Sequence, residues 1–290
     1  MKKFFLFFAA VVMTAGVMSA QDINQATEAY NNGAMELQMG NNAAAIENFQ
    51  TALTMGEALG DEAADLVANC KKAICSAYLS MAKDLYNAKD FEGALTAFQQ
   101  AKEVADGYGE AEIAAEAAEL IGQTEMVKYN DQGKAAMKAK DYPTAIAAFT
   151  KVLEMDPANG ATAIQLGQAY MRANQFDEAI TALETAKANG QEENAVKLIS
   201  QIYLKKAQAA VKAKKYQEAV DCAAKSNEAQ ENGNAYKIAA SALQKLGKNA
   251  ECIAAYEKYL EVTPNAKDAN GVICTIAVLY QQAGNKAKAK

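Results

Sequence analysis

One short apolar pattern recurs six times along this chain of 290 residues, and it limits the possible folds more than any other feature of the sequence. Each copy begins with a small residue, continues with an aliphatic one, and in most copies has a larger apolar residue four positions after the first. Apolar side chains with this spacing lie along one stripe of a helix. The small residues are Ala45, Ala94, Ala145, Ala179, Ala219 and Cys252. Such self-similarity predicts a stack of helical units.

A second small residue lies twelve positions before each member of the first set, which places two helices in every unit. A small side chain lets paired helices approach closely, because a larger one would open the crossing between them. These residues are Gly33, Ala82, Gly133, Gly167, Ala207 and Ala240. Each unit is therefore expected to be a pair of antiparallel helices in close contact.

Local preferences support an all-α protein. Ala, Leu, Glu, Lys and Gln are frequent, and these residues lose little on entering a helix. Runs of alternating Val, Ile and Thr, which would mark strands, are absent. The three prolines fit the same register. Pro143 is expected in the first turn of a second helix, and Pro157 and Pro264 just beyond the ends of second helices.

From Ala145 to Ala179 the spacing is 34 residues, and here the chain resembles the tetratricopeptide repeat family. That family has a small residue in its first helix, two alanines flanking an aromatic residue in its second, and a proline at the end. Residues 126–159 match it through Tyr129, Gly133, Tyr142, Ala145, Phe149 and Pro157; residues 160–193 through Leu166, Gly167, Tyr170, Ala179 and Ala186; and residues 233–266 through Tyr236, Ala240, Gly247, Cys252, Tyr256 and Pro264. The resemblance implies an all-α, right-handed superhelical solenoid of antiparallel helix pairs, with six full repeats and a partial seventh.

The solenoid is expected to fill residues 21–290. Its units lie near residues 26–59, 75–108, 126–159, 160–193, 200–233 and 233–266, with a partial unit at 270–290. Two insertions predict unusually long first helices over residues 61–89 and 110–140. The unit with Ala219 has Ala223 and Ser226 where bulk is expected, which indicates a local soft point. Gly40, Gly247 and Gly284 are expected in turns between paired helices.

Residues 1–20 have the features of a bacterial secretory signal peptide. Lys2 and Lys3 precede an apolar stretch over residues 4–17, which is short for a membrane span. Cleavage is expected after Ala20, with cleavage after Ser19 as an alternative. An uncleaved membrane anchor is the competing hypothesis. A signal peptide predicts a periplasmic or secreted protein.

The five cysteines do not form an obvious disulfide framework, because their number is odd. Cys70 and Cys75 are expected on different faces of one helix. The simplest interpretation is that the cysteines are small buried apolar residues. A single bridge among Cys222, Cys252 and Cys274 is the alternative in an oxidising compartment.

Composition argues against several kinds of chemistry. The chain has no histidine, so the side chain most used for proton transfer near neutral pH is missing. No phosphate-binding glycine loop or metal-ligand cluster is evident, and the sequence predicts no catalytic residue, metal or cofactor. Residues 21–290 contain 27 basic and 35 acidic residues, a net charge of −8, which argues against nucleic-acid binding.

The resemblance also implies a partner-binding surface, because the family's concave groove is lined by the first helices. Thirty residues occupy the groove-facing positions, and none of them is acidic. Tyr30, Tyr86, Met137, Met171 and Gln208 are among them. The predicted groove residues are Lys83, Asn130, Lys134, Lys138, Gln168, Arg172, Lys212, Lys237 and Lys245. They suggest binding of a protein or peptide through an acidic segment or a C-terminal carboxylate. The alternative is that these lysines only solvate an exposed helix face.

The sequence thus predicts a non-enzymatic protein–protein interaction scaffold of the bacterial cell envelope. Two other functions stay open at this point. The protein could be a self-associating structural or assembly protein, with the open seventh unit docking on another chain. Less in keeping with the sequence, it could be a catalytic subunit.

Overall fold

The computed structural model describes residues 20–282, and that part of the chain forms thirteen α-helices and one 3-10 helix, with no strand. The helices are α1 (Ala20–Gln38), α2 (Asn42–Leu59), α3 (Ala64–Asn87), α4 (Phe91–Tyr108), α5 (Ala111–Ala139), α6 (Tyr142–Met155), α7 (Gly160–Arg172), α8 (Phe176–Ala188), α9 (Glu192–Lys212), α10 (Tyr216–Ala229), α11 (Gly233–Lys245), α12 (Asn249–Val262) and α13 (Ala269–Gln282). The predicted all-α fold is confirmed. No helix in the described range combines the length and apolar character needed to cross a bilayer.

Consecutive helices pack against each other, and α1 to α12 form six pairs. Helix α13 packs on α12 and corresponds to the first helix of a seventh helix pair. The predicted long first helices are present, since α3 has 24 residues and α5 has 29. Residues 1–19 of the proposed signal peptide and the turn at Gly284 lie outside the described residues, and Ala20, the last residue of that segment, is the first residue of α1.

Contacts divide the chain into two compact units, and the division falls within α5, between Lys128 and Tyr129. The first unit contains α1 to α4 and the beginning of α5. Its core is built around Phe49 and Phe98, which are at most 1% exposed. The second unit contains the rest of α5 and the helices up to α13, with Phe149 and Leu183 equally buried.

The small residues of the first helices lie directly against the large residues of the second helices. A Cβ atom added at Gly133 would lie 2.5 Å from a ring carbon of Phe149, and one at Gly167 would lie 2.7 Å from Leu183. These distances are far shorter than van der Waals contact, so a Cβ atom at either position would require the facing side chain to move. The predicted close approach of paired helices is therefore confirmed.

The helix ends follow the predicted signals. Pro143 lies in the first turn of α6, where the Asp141 side chain accepts a hydrogen bond from the Thr144 N–H. Pro157 and Pro264 lie just beyond α6 and α12. Gly40 and Gly247 have φ of 80° and 73°, a left-handed conformation that glycine adopts without strain.

Polar side chains form hydrogen bonds in the interior between α9 and α10. The hydroxyl oxygens of Ser200 and Ser226 lie 3.0 Å apart in the interior, and Ser226 also donates to the backbone carbonyl of Ser200 at 2.9 Å. The side-chain amide of Asn232 donates to both hydroxyls at 3.2 Å. Small polar side chains therefore replace the apolar bulk expected there, and hydrogen bonds hold the two helices together. The soft point proposed for this unit stays a hypothesis.

All five cysteines are free thiols. Cys70, Cys75, Cys222 and Cys252 are buried, in agreement with the prediction, but Cys274 is exposed on α13. The burial interpretation is therefore wrong for Cys274, because its face of α13 has no covering helix among residues 20–282. The alternative bridge among Cys222, Cys252 and Cys274 is not formed.

We expect one thiol in the native protein to react rapidly with a disulfide reagent such as DTNB, and five after denaturation. Burial shields the other thiols and raises the pKa of Cys70 and Cys75 to about 11, so little nucleophilic thiolate forms at neutral pH. A time course of thiol release measures this, with the Cys274→Ser variant as control. Rapid reaction of two or more thiols in the native protein would contradict the burial.

Candidate partner-binding surface

The nine predicted groove residues all lie on first helices. Lys83 lies on α3 in the first unit, and the other eight lie on α5, α7, α9 and α11 in the second unit. Neighbouring first helices contact each other directly, since α7 touches α9 and α9 touches α11. Ala136 of α5 and Ala169 of α7 share one apolar cluster. The second unit therefore places its first helices side by side.

Four cations form what we call the basic row: Lys138, Arg172, Lys212 and Lys245. Each lies five positions after the small residue of its first helix, in the last helical turn. The four residues therefore have the same register on four successive first helices. All four are exposed, and none forms an ion pair with any residue in the range 20–282.

Helix stability alone does not account for the basic row. A cation in a last turn interacts favourably with the helix dipole, by about 0.3–1 kcal/mol, so any helix would gain from one. Of the second helices α2, α4, α6, α8, α10 and α12, however, only α8 has a basic residue in its last turn. The first helices α1 and α3 of the first unit have none. The cations are thus concentrated on the first helices of the second unit.

Two of the predicted groove residues form ion pairs, in each case with an acid that lies outside the thirty predicted groove positions. The Lys83 ammonium lies 2.7 Å from a carboxylate oxygen of Glu116 on α5. The Lys237 ammonium lies 2.5 Å from Asp268 and 5.6 Å from the centre of the Tyr259 ring. Asp268 raises the pKa of Lys237 above its ordinary value by accepting its hydrogen bond. In each case the acid comes from the next helical repeat along the chain.

Asn130 and Lys134 extend the surface along α5. They are four positions apart and therefore lie on the same helix face. Lys134 is exposed without an ion pair to any described residue. The side-chain oxygen of Asn130 is buried and has no hydrogen-bond partner among the described residues. Buried polar atoms are nearly always paired in proteins, so an unpaired acceptor is unusual at this position.

Several side chains at positions assigned to the groove by resemblance are buried or packed within the chain. Met171 is only 7% exposed and belongs to the apolar core of α7, α8 and α9. The ring of Tyr30 packs against Phe49, with 5.3 Å between ring centres. Gln168 is partly buried beside Arg172 on α7. Side chains at these positions therefore differ in accessibility even though their spacing is the same.

The charge is divided unevenly between the two units, which the total of −8 conceals. Residues 21–128 contain 18 acidic and 6 basic residues, a net charge of −12. Residues 129–290 contain 17 acidic and 21 basic residues, a net charge of +4. The basic row therefore lies in the positively charged unit. Within residues 20–282 no three Cys, Asp or Glu side chains are grouped so that they could hold a metal ion.

Comparison with known proteins identifies the class of repeat. Two models of the tetratricopeptide repeat match, one over residues 136–202 and one over residues 234–266. With the helix pairs and close-packed small residues described above, these matches support a tetratricopeptide repeat protein, and they place such repeats at residues 136–202 and 234–266. No curated protein matches the sequence.

Solved structures similar to the chain include structures of MamA and of YrrB. One MamA structure is 23% identical, covers 57% of this chain and 86% of its own, and has a TM-score of 0.38. The MamA AMB-1 structure is 27% identical over 57% of this chain and 85% of its own, with a TM-score of 0.37. YrrB, described as a TPR protein with an unusual peptide-binding site, is 19% identical over 56% of this chain and 79% of its own, with a TM-score of 0.35.

Proposed function

We propose that this protein is a non-enzymatic scaffold of the bacterial cell envelope that holds an acidic, extended protein segment along the basic row. The observation that supports this most directly is the set of four exposed, unpaired cations at one register of four neighbouring helices. Tetratricopeptide repeats generally serve as interaction modules, which agrees with the absence of histidine. The envelope location is supported by the signal-like residues 1–20.

The geometry of packed helices suggests how the acidic groups of the ligand are spaced. Neighbouring helices pack with their axes about 8–10 Å apart. An extended chain advances about 3.3 Å per residue, so about three residues span one interval between helices. A ligand with a carboxylate at every third position can therefore face successive cations of the basic row. Four cations correspond to a segment of roughly ten residues.

A peptide can contact more of this surface at once than a simple anion can. Acidic side chains on one extended peptide would meet Lys134 and the basic row together.

Synthetic peptides test the proposed spacing. We expect a ten-residue Gly/Ser peptide with Asp at every third position to bind, by fluorescence anisotropy, roughly fivefold or more tightly than one with the same aspartates contiguous, because each misplaced charge pair loses up to about 1 kcal/mol. Added salt should weaken the binding. Comparing C-terminally amidated and free-acid forms separates recognition of side chains from recognition of a terminal carboxylate.

Equal affinity for the two peptides would contradict the spaced row, and absence of binding to both would contradict an acidic ligand. If amidation abolished binding of the spaced peptide, a terminal carboxylate would be the recognised group instead. Peptides with the aspartates replaced by asparagine serve as uncharged controls of the same shape.

A further inference from the structure

We infer that the second unit binds the anionic headgroups of a lipid bilayer through one end of its stacked helices, with Lys140, Lys214 and Leu246 in the contact. The inference does not rest on the proposed peptide ligand. It rests on three features of residues 129–282: the distribution of charge between the two ends of the helices, the backbone conformation of two lysines, and one exposed leucine.

The helix pairs of the second unit all turn at the same end. The connections within the pairs α5–α6, α7–α8, α9–α10 and α11–α12 are two or three residues long, so the paired helices run antiparallel. Consecutive helices therefore alternate in direction, and the turns within pairs lie at one end of the stack. What we call the turn end comprises residues 136–145, 169–179, 209–219 and 242–252. The connections between pairs form the opposite end, which comprises residues 152–163, 185–195, 226–236 and 259–272.

Charge is divided between these two ends. The turn end contains eight basic and five acidic residues, a net charge of +3, whereas the opposite end contains two basic and eight acidic residues, a net charge of −6. Each end holds the C-termini of four helices and the N-termini of four others, so the helix dipoles favour neither sign at either end. The separation of charge therefore has a reason other than helix stability.

The chain leaves most cations of the turn end unpaired but holds most of the acids. Four of the five acids are engaged: Asp141 caps α6, and Asp177, Glu218 and Glu251 form ion pairs. Six cations form no ion pair with any residue in the range 20–282, and they are Lys138, Lys140, Arg172, Lys212, Lys214 and Lys245. An anionic partner at this end therefore meets cations that the chain does not neutralise.

Two of these lysines have an unfavourable backbone conformation. Lys140 and Lys214 lie in the α5–α6 and α9–α10 turns with φ of 61° and 59°. Gly247 occupies the same position in the α11–α12 turn, where glycine adopts a positive φ without strain. Strained residues other than glycine cluster at functional sites. Both lysine side chains are exposed, so the turns present a charge that their own geometry does not require.

A large apolar side chain is exposed at the same end. Leu246 lies in the α11–α12 turn between Lys245 and Lys248, and it is 38% exposed. A bilayer offers phosphate groups to the cations and acyl chains to the leucine, whereas a soluble anion offers charge alone. The combination therefore favours a lipid surface. The acidic opposite end is repelled by the same phosphates, so the turn end should face the bilayer.

Tryptophan fluorescence tests this orientation, because the chain contains no tryptophan. Leu246→Trp places the fluorophore at the turn end, and Met155→Trp places it at the opposite end, where Met155 is 37% exposed. Both proteins begin at Gln21, since the apolar residues 4–17 would bind lipid by themselves. Vesicles of equimolar phosphatidylcholine and phosphatidylglycerol should shift the emission of Leu246→Trp to shorter wavelength and leave that of Met155→Trp unchanged. Vesicles of phosphatidylcholine alone should shift neither.

Glycine substitutions test the two strained lysines. In a cosedimentation assay Lys140→Gly/Lys214→Gly should bind the mixed vesicles roughly tenfold or more weakly, since each cation near an anionic surface contributes about a factor of five. Its urea midpoint should not fall, because glycine adopts a positive φ without strain. Asn174→Gly is the backbone control, with the same conformation and no charge. Lys187→Ala/Lys267→Ala is the charge control, because it removes the two cations of the opposite end.

Absence of binding to the mixed vesicles would overturn the inference, and so would a shift confined to Met155→Trp. Equal weakening by the two double variants would assign the binding to net charge, and no weakening by Lys140→Gly/Lys214→Gly would exclude the turn lysines. Complete competition by soluble glycerol phosphate at the same phosphate concentration would identify a free phosphate as the ligand. Each of these outcomes contradicts a lipid surface at the turn end.

The same variant separates this inference from the proposed function. Lys140→Gly/Lys214→Gly keeps all four cations of the basic row, so its affinity for the spaced acidic peptide should stay within about threefold of wild type. Failure of vesicle binding with intact peptide binding would contradict the lipid surface alone. A loss of peptide affinity as large as the loss of vesicle binding would place the two lysines in the peptide site and overturn the inference.

Discussion

Replacement of Phe149 by alanine is expected to lower the free energy of unfolding by about 3–5 kcal/mol, the largest effect of any single change considered. The ring is 1% exposed and lies against Gly133, which has no side chain with which to fill the vacated space. The loss therefore includes both the free energy gained by burying the aromatic ring and the cost of the cavity left behind. Urea denaturation followed by circular dichroism measures it, with Met155→Ala, a truncation of an exposed side chain on the same helix, as the control.

A double-mutant cycle makes this prediction specific to the contact between Phe149 and Gly133. Gly133→Ala alone should destabilise the protein although alanine is the better helix former, because its Cβ would lie 2.5 Å from the ring. In the Phe149→Ala background the same change should be stabilising, since the methyl group enters the cavity. The coupling should be about 1–3 kcal/mol. Additive effects would show that the ring and the glycine do not share this space.

Reversal of all four charges of the basic row should reduce the affinity for the spaced acidic peptide by roughly a hundredfold or more, because four attractions of up to about 1 kcal/mol each become repulsions. The variant contains Lys138→Glu, Arg172→Glu, Lys212→Glu and Lys245→Glu. All four positions are exposed, so the helices should fold as before. Fluorescence anisotropy with the labelled peptide measures the change.

The chain offers a matched control with the same change in net charge. Lys151, Lys187, Lys225 and Lys258 lie on the second helices of the same unit, and all four are exposed. Their reversal to glutamate should leave affinity within about threefold of wild type, because only long-range, screened repulsion is added. If the two quadruple variants lost affinity equally, the peptide would be responding to overall charge, and the basic row would not be its binding site.

The helix pairs could be predicted from the sequence because the spacing between the small and the large packing residues is set within each repeat. Gly133 and Phe149 are separated by a fixed number of residues within one repeat, so the pattern alone indicates their contact. The same holds for Pro143, Gly40 and Gly247, whose conformational preferences are intrinsic to the residue. Even the insertions were informative, because their helix-forming residues predicted the lengths of α3 and α5.

The surface was less predictable, because accessibility and pairing depend on neighbouring units. Lys83 meets Glu116 across 33 positions, and Lys237 meets Asp268 across 31. The spacing within one repeat gives no information on these pairs. Met171 occupies a groove position by count, but its long side chain turns into the core. The difference in net charge between residues 21–128 and 129–290 can be counted from the sequence, but the boundary between the two parts comes from the structure.

The buried hydrogen bonds of the α9–α10 repeat affect how its stability depends on temperature. Apolar surface exposed on unfolding raises the heat capacity change, and polar surface lowers it, so a repeat closed by Ser200, Ser226 and Asn232 has a flatter dependence of stability on temperature. Cooling weakens the hydrophobic stabilisation of the repeats filled by Phe49, Phe98 and Phe149. The hydrogen-bonded repeat loses less, so the relative stabilities of the repeats change with temperature.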